Sequence, residues 1–459
     1  MLGKWIGRIG LLAAFGAAVF TQPSAAHVGA LPRSVAASAP VPTWLLILTG
    51  GVVVGASFMF LSILTGNATV HAINEWGVPV PTPSTVRRTV GGTFRAMSIG
   101  GLLLVLVTGL TGPRTSTSNA AILVVWVGWW AGYSMSVYLI GNTWPLLNPW
   151  RALADLLPTD RRLEYPEWLG AWPSIIGLLG LVWLEVVSPV AQEPDVLAFL
   201  IIGYSIVTLA GAWLFGVEAW FGTVDPISRV FRCYGRMAPF QRTASGVEFK
   251  LPGAALTDRL VPMRVDETAF IVALLWATTY DGLVSTPLWS AVARPVVSRG
   301  VPASFLYLAT IVVGFLFFFS IYRAASRLAR RTGRTFVTPG FIEGWFAPSL
   351  IPIAAGYHLA HFLGYFLTQA PALLTVISQP FSPPTSVPVL LIPSWFPTAQ
   401  ILFVLLGHLI AVWVAHTLAY DLFPGRLKPI RSQYPFVVVM IFYTMTSMWV
   451  VTRPFAPPP

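Results

Sequence analysis

Long apolar runs dominate the chain, separated by short polar and proline-bearing segments. Ten runs are long enough to cross about 30 Å of hydrocarbon as helices: residues 43–65, 94–111, 119–141, 170–190, 196–216, 268–288, 303–322, 347–368, 398–418 and 435–452. Helix breakers punctuate the sequence between or at the ends of these runs, among them Gly112-Pro113, Pro145, Pro194, Pro226, Pro287, Pro371 and Pro424. The pattern predicts an all-α polytopic transmembrane helical bundle of about ten spans.

The first 26 residues read differently. Lys4 and Arg8 precede an apolar stretch from Ile9 to Phe20, and Pro23-Ser24-Ala25-Ala26 follows as a small-residue cleavage pattern. This predicts a signal peptide over 1–26, removed to leave an integral membrane domain over 27–459 that starts at His27.

Charge then orients the spans. Of the 28 Lys and Arg residues, 21 fall in the loops that are cytoplasmic if the mature N-terminus is outside, five fall in outer segments, and two belong to the signal peptide. Positive residues collect on the inner side, so both termini are expected outside. The net charge of +11 is thereby accounted for without nucleic acid. Only 10% of residues are charged, against about 25% in soluble domains, and mean hydropathy is +0.72. The lone Cys233 excludes an intrachain disulfide and a multi-cysteine metal site.

Two inner segments resemble each other. Asn148-Pro149-Trp-Arg151 follows the third run, and Asp225-Pro226-Ile-Ser-Arg229 follows the fifth. Asn or Asp is a good N-cap and Pro suits the first helical position. Both read as short interfacial helices with arginine turned to lipid headgroups. The second lies in the largest cytoplasmic loop, 217–267, whose stretch 241–265 suggests a folded hairpin. The outer segment 370–396 carries no charge and many prolines, and is expected to lie over the bundle.

The chemistry rests on a few ionisable residues within apolar runs: Glu185, Asp281, His358, His361, His408 and His416. Such groups are costly in hydrocarbon and mark functional sites. At 1.5 Å per residue, Asp281, His358, His361 and His408 lie at similar depth, about 15–21 Å into their spans. His358 and His361 are three apart and share a helix face. A third histidine, His408, and Asp281 would complete a site for a divalent transition metal, zinc, copper or iron. A metal-free proton or ion relay fits the same residues. Gly282 and Pro287 interrupt the sixth span beside Asp281, as in the broken helices of transporters. His27 is a separate case: as a free N-terminus, its amine and ring could chelate copper, which supports a copper-handling or redox reading.

Several pieces together resemble a family of bacterial and archaeal membrane proteins labelled fenitrothion hydrolase or fenitrothion hydrolase-like. They are Ala-His27-Val-Gly, Asn148-Pro149-Trp-Arg151-Ala-Leu, Asp225-Pro226 with Arg229, Thr-Tyr-Asp281-Gly-Leu, Tyr-His358-Leu-Ala-His361, Gly-His408 with His416, and Gln433-Tyr-Pro. The resemblance implies a prokaryotic plasma membrane and cleavage of an organophosphorus triester, without assigning residues to the reaction. A metal on His358, His361 and His408 would activate water, with Asp281 as a fourth ligand or as the catalytic base. The implied partners are the lipid bilayer, an apolar small-molecule substrate and, in some readings, a membrane partner subunit.

Overall fold

The computed structural model describes residues 42–456, apart from 65, 82–83, 158–162, 245, 259–260, 385 and 455. The expected signal peptide and His27 lie outside the described residues. The fold is an all-α polytopic bundle. Eight helices among the described residues are long and apolar enough to cross a membrane, or nine if one bent pair counts as a single span.

The helices that position the site are as follows. α1 is Thr43–Leu64 and α2 the short Asn67–Asn74. α3 is Ser84–Thr111 and α4 Ala120–Leu139. α5 is Pro149–Ala154, α6 Trp172–Val187, α7 Pro194–Phe215 and α8 Pro226–Gly235. α9 is Val265–Val284, α10 Pro287–Val297, α11 Ala303–Thr332 and α12 Pro339–Phe346. α13 is Ile351–Ser378, α14 Phe396–Leu422 and α15 Leu427–Val451.

α9 and α13 are the centre. Every side chain of α9 from Thr268 to Gly282 is buried, and α13 is buried on nearly all sides over its first two-thirds. Helices apolar all round belong in such positions. The remaining long helices pack around this pair: α6 and α11 on α9, α4 and α14 on α13, and α1 on α14 and α15. The outward faces are apolar, for example Trp44, Phe60, Ile176, Phe305, Val313 and Val438, which suits a lipid solvent. α13 and α14 cross closely at Gly356 and Gly407. A Cβ on Gly356 would stand 2.7 Å from the Phe403 carbonyl oxygen, and one on Gly407 would stand 2.5 Å from that of Pro352. Small residues admit this backbone approach.

Two of the ten expected spans differ from a plain crossing. The fourth, α6, has 16 residues, about 24 Å at 1.5 Å per residue, short of a full crossing. Gly170 before it, Pro173 in its first turn, and Ser188-Pro189 after it confine the helix. The sixth breaks after Val284, and α9 and α10 meet at 78°. Thr286 starts α10 by accepting from the Trp289 N–H at 3.2 Å, with Pro287 at the first helical position. The Ser285 carbonyl freed at the break accepts from the Ala456 N–H at 2.8 Å.

The expected hairpin is present. β2 (Phe240–Thr243) pairs with β3 (Gly246–Lys250), and β1 (Gly77–Val80), from the loop after α2, joins β3 on its other edge. The sheet thus ties the 217–267 loop to the first loop of the bundle. Residues 379–395 fold back over α13, where the Leu390 N–H donates to the Thr368 carbonyl at 3.0 Å. Val389, Leu391 and Trp395 stay exposed.

Candidate functional site

α4 carries the sequence Leu-Val-Val-Trp126-Val-Gly-Trp129-Trp130-Ala-Gly-Tyr133, and this stretch, Leu123–Tyr133, winds as a π-helix. Asn119 fixes its start, accepting from the Ala121 and Ile122 N–H groups while donating to the Thr108 and Pro113 carbonyls. The wider turn lines up Trp126, Trp129, Trp130 and Tyr133 along one wall of a cavity of about 440 Å³. π-helical turns are rare and concentrate at functional sites.

The other walls come from α3, α6, α7, α8, α9 and α13, and Trp144 and Trp150 also line it. The lining is overwhelmingly apolar and aromatic. Glu185 on α6 and Asp281 on α9 are its only charged residues among those described. α3 forms the peripheral wall, and most of its side chains are exposed.

Asp281 links the cavity to α13. Its Oδ2 lies 3.1 Å from His361 Nε2, and both side chains are about one-tenth exposed. His361 stacks on Tyr357, with ring centroids 6.0 Å apart and planes 12° apart. Glu185 is within electrostatic reach of Tyr280 and Tyr365. Asp281 and Glu185 therefore both line the cavity, with His361 behind Asp281.

The other histidines go elsewhere. His358 shares a helix face with His361, but its Nδ1 is 3.1 Å from the Tyr138 hydroxyl. Its ring lies among Trp130, Tyr138, Tyr234 and Phe362. His408 is fully buried, and its Nδ1–H donates 2.8 Å to the Val404 carbonyl of its own helix. His416 contacts Gln433 at 3.3 Å and Tyr420 edge-on. Among the described residues no group of three or more His, Cys, Asp or Glu side chains is arranged to hold a metal ion. The expected set of His358, His361, His408 and Asp281 does not converge. The reason is azimuthal: equal depth leaves the direction around each helix free, so His358 bonds Tyr138 while staying within electrostatic reach of His361 and Asp281, and His408 bonds Val404.

The two Asn/Asp-Pro motifs are joined. Asn148 caps α5 by accepting from the Arg151 N–H at 3.0 Å, and Asp225 caps α8 through the Ile227 and Ser228 N–H groups. Ser228 Oγ donates 2.6 Å to Asp225 Oδ2 and accepts from Asn148 Nδ2 at 3.2 Å and Trp144 Nε1 at 3.1 Å. The Tyr204 hydroxyl bonds Asp225 Oδ1. Burial pushes the Asp225 carboxyl above its ordinary range, against the lowering effect of these donors.

This corrects the lipid-facing picture of α8. Arg229 is buried and lies over the Phe270 ring at 5.4 Å. Arg232 donates to the Gly222 and Phe221 carbonyls. These guanidiniums tie α8 to α9 and to the segment that precedes α8. Cys233 sits among them, and burial pushes its thiol up despite the surrounding arginines.

Sequence reasoning missed the aromatic wall. The signal was the Trp-Val-Gly-Trp-Trp-Ala-Gly-Tyr run within the third span. Scans of family models, curated proteins and solved structures return no match to the chain.

Proposed function

We propose that the protein binds an apolar small molecule within the bilayer and couples its binding and release to proton movement at Asp281 and His361, as a proton-coupled membrane transporter. One observation carries this reading: Asp281 lines the aromatic cavity and also pairs with His361. A proton gained or lost by the pair changes the charge at the wall that a ligand meets. Asp281 sits one residue before Gly282 and shortly before the break between α9 and α10. Interrupted helices place substrate and ion sites in transporters. The peripheral helix α3 gives an apolar ligand a short path from lipid.

The test is uptake into proteoliposomes under an imposed pH gradient, with Asp281→Asn alongside the wild type. Uptake that follows the gradient in the wild type and loses that dependence in the variant supports the reading. Uptake indifferent to both sinks it.

The hydrolytic reading implied by the resemblance draws on the same pair, since a carboxylate-oriented imidazole can serve as a general base. Its metal-dependent form draws no support from the donor geometry, because among the described residues no group of three or more His, Cys, Asp or Glu side chains is arranged to hold a metal ion. Release of a phenol from an apolar phosphotriester by the purified protein, lost in His361→Gln, would favour hydrolysis over transport.

A further inference from the structure

We propose that the ligand class of the cavity is a lipophilic organic cation, exchanged against a proton. The proposal rests on the cavity being a binding site for an apolar molecule, and adds the sign of the ligand's charge.

Three features select that sign. The cavity is walled by five tryptophans, three tyrosines and two phenylalanines. Aromatic faces carry a negative quadrupole and attract an organic cation, more strongly where water is excluded. Second, the charged side chains lining it are the carboxylates of Glu185 and Asp281, with no Lys, Arg or His among the described lining residues. The nearest buried guanidinium discussed above, Arg229, is turned to Phe270 and to Glu267 at 3.9 Å. Third, the volume of about 440 Å³ suits a compact multi-ring molecule, within the range of small-molecule pockets. A neutral molecule would gain from the walls but not from the carboxylates. An anion would face two acidic groups and the negative ring faces.

The carboxylates also supply the exchange. A cation that enters beside Glu185 or Asp281 favours the ionised carboxylate, so one proton leaves as one positive charge arrives, and the charge in the cavity is conserved. The titratable groups around Asp281 and Glu185 are His361, His358, Tyr357 and Tyr365 from α13 and Tyr280 from α9 itself, with Tyr307 of α11 beside Tyr280. α15 brings Val450 against Gly282. His361 is the basic group that can receive the displaced proton.

The experiment is equilibrium binding to the full chain in lipid nanodiscs, read by quenching of tryptophan fluorescence. The probes are tetraphenylphosphonium, its isosteric anion tetraphenylborate, and neutral triphenylmethanol. The expected result is tetraphenylphosphonium binding at least about tenfold tighter than either other probe, weakening as the pH is lowered. Glu185→Gln is expected to reduce the ratio of cation to neutral affinity about tenfold, and Glu185→Asp to restore much of it. Equal binding of cation and neutral probe, or an anion that binds best, overturns the cation assignment and leaves the cavity reading standing. Failure of every probe to bind overturns both.

Discussion

His361 Nε2 stands 3.1 Å from Asp281 Oδ2, across the contact between the two most buried helices of the bundle. Loss of one partner from a buried pair costs about 3–5 kcal/mol when the other stays charged, whereas loss of both is much milder. Asp281→Asn and His361→Gln are each expected to lower the thermal unfolding temperature, and the double variant is expected to recover part of that loss. Equal additivity of the two single losses would show that the residues do not act as a pair. In the uptake assay the single variants lose dependence on the pH gradient, which a purely structural pair would not produce.

The crossing of α13 and α14 predicts a second result. Gly356 and Gly407 leave no room for a methyl group, because the atoms it would meet belong to backbone. Gly356→Ala or Gly407→Ala must push the helices apart, at a cost of about 1–3 kcal/mol. Gly100→Ala, where an added Cβ meets nothing within 4 Å, is the control expected to leave stability unchanged or raised. Unfolding temperatures of the three variants in one detergent settle the comparison.

The fold was legible because lipid forces helices to be long and apolar, and every expected run coincides with a helix. Length failed only where Gly170, Pro173 and Pro189 trim α6 to 16 residues, and where Ser285-Thr286-Pro287 turns one run into two helices. The site was half legible. Depth along a helix can be counted, so Asp281 and His361 were rightly expected in one layer. Azimuth depends on which neighbour each face meets, so the sequence could not show that His408 turns to Val404. The similarity of Asn148-Pro149 and Asp225-Pro226 was visible, but their meeting through Ser228 depends on packing between segments 80 residues apart.

Asp225 predicts a pH effect outside the spans. Burial raises its carboxyl above the ordinary carboxylate range. The folded chain therefore holds this proton at pH values where the unfolded chain has released it. Stability contributed here is full below the ordinary, unfolded-state value and falls as pH rises from that value through the raised, folded-state one. Asp225→Asn cannot titrate and is expected to flatten that part of the stability profile while keeping much of the cap. Asp225→Ala loses the cap and strands Ser228 and Tyr204, costing about 1–3 kcal/mol. Denaturation followed across acidic pH distinguishes the two: an unchanged slope in Asp225→Asn would assign the effect to another carboxyl.

His408 and His361 separate the metal reading from the proton reading. The sequence places both at similar depth, and a shared metal centre would make them interchangeable in effect. In the structure His408 Nδ1 bonds its own helix at Val404, whereas His361 Nε2 faces Asp281. His408→Leu keeps an apolar side chain of similar bulk in a buried position, so its cost should stay within about 1.5 kcal/mol, and pH-driven uptake should persist. His361→Gln should abolish that uptake. Zinc or copper titrated into the wild type should leave the unfolding temperature unchanged, because among the described residues no group of three or more His, Cys, Asp or Glu side chains is arranged to hold an ion. A stoichiometric rise in unfolding temperature that disappears in both His408→Leu and His361→Gln would reunite the two histidines and restore the metal centre expected from their spacing.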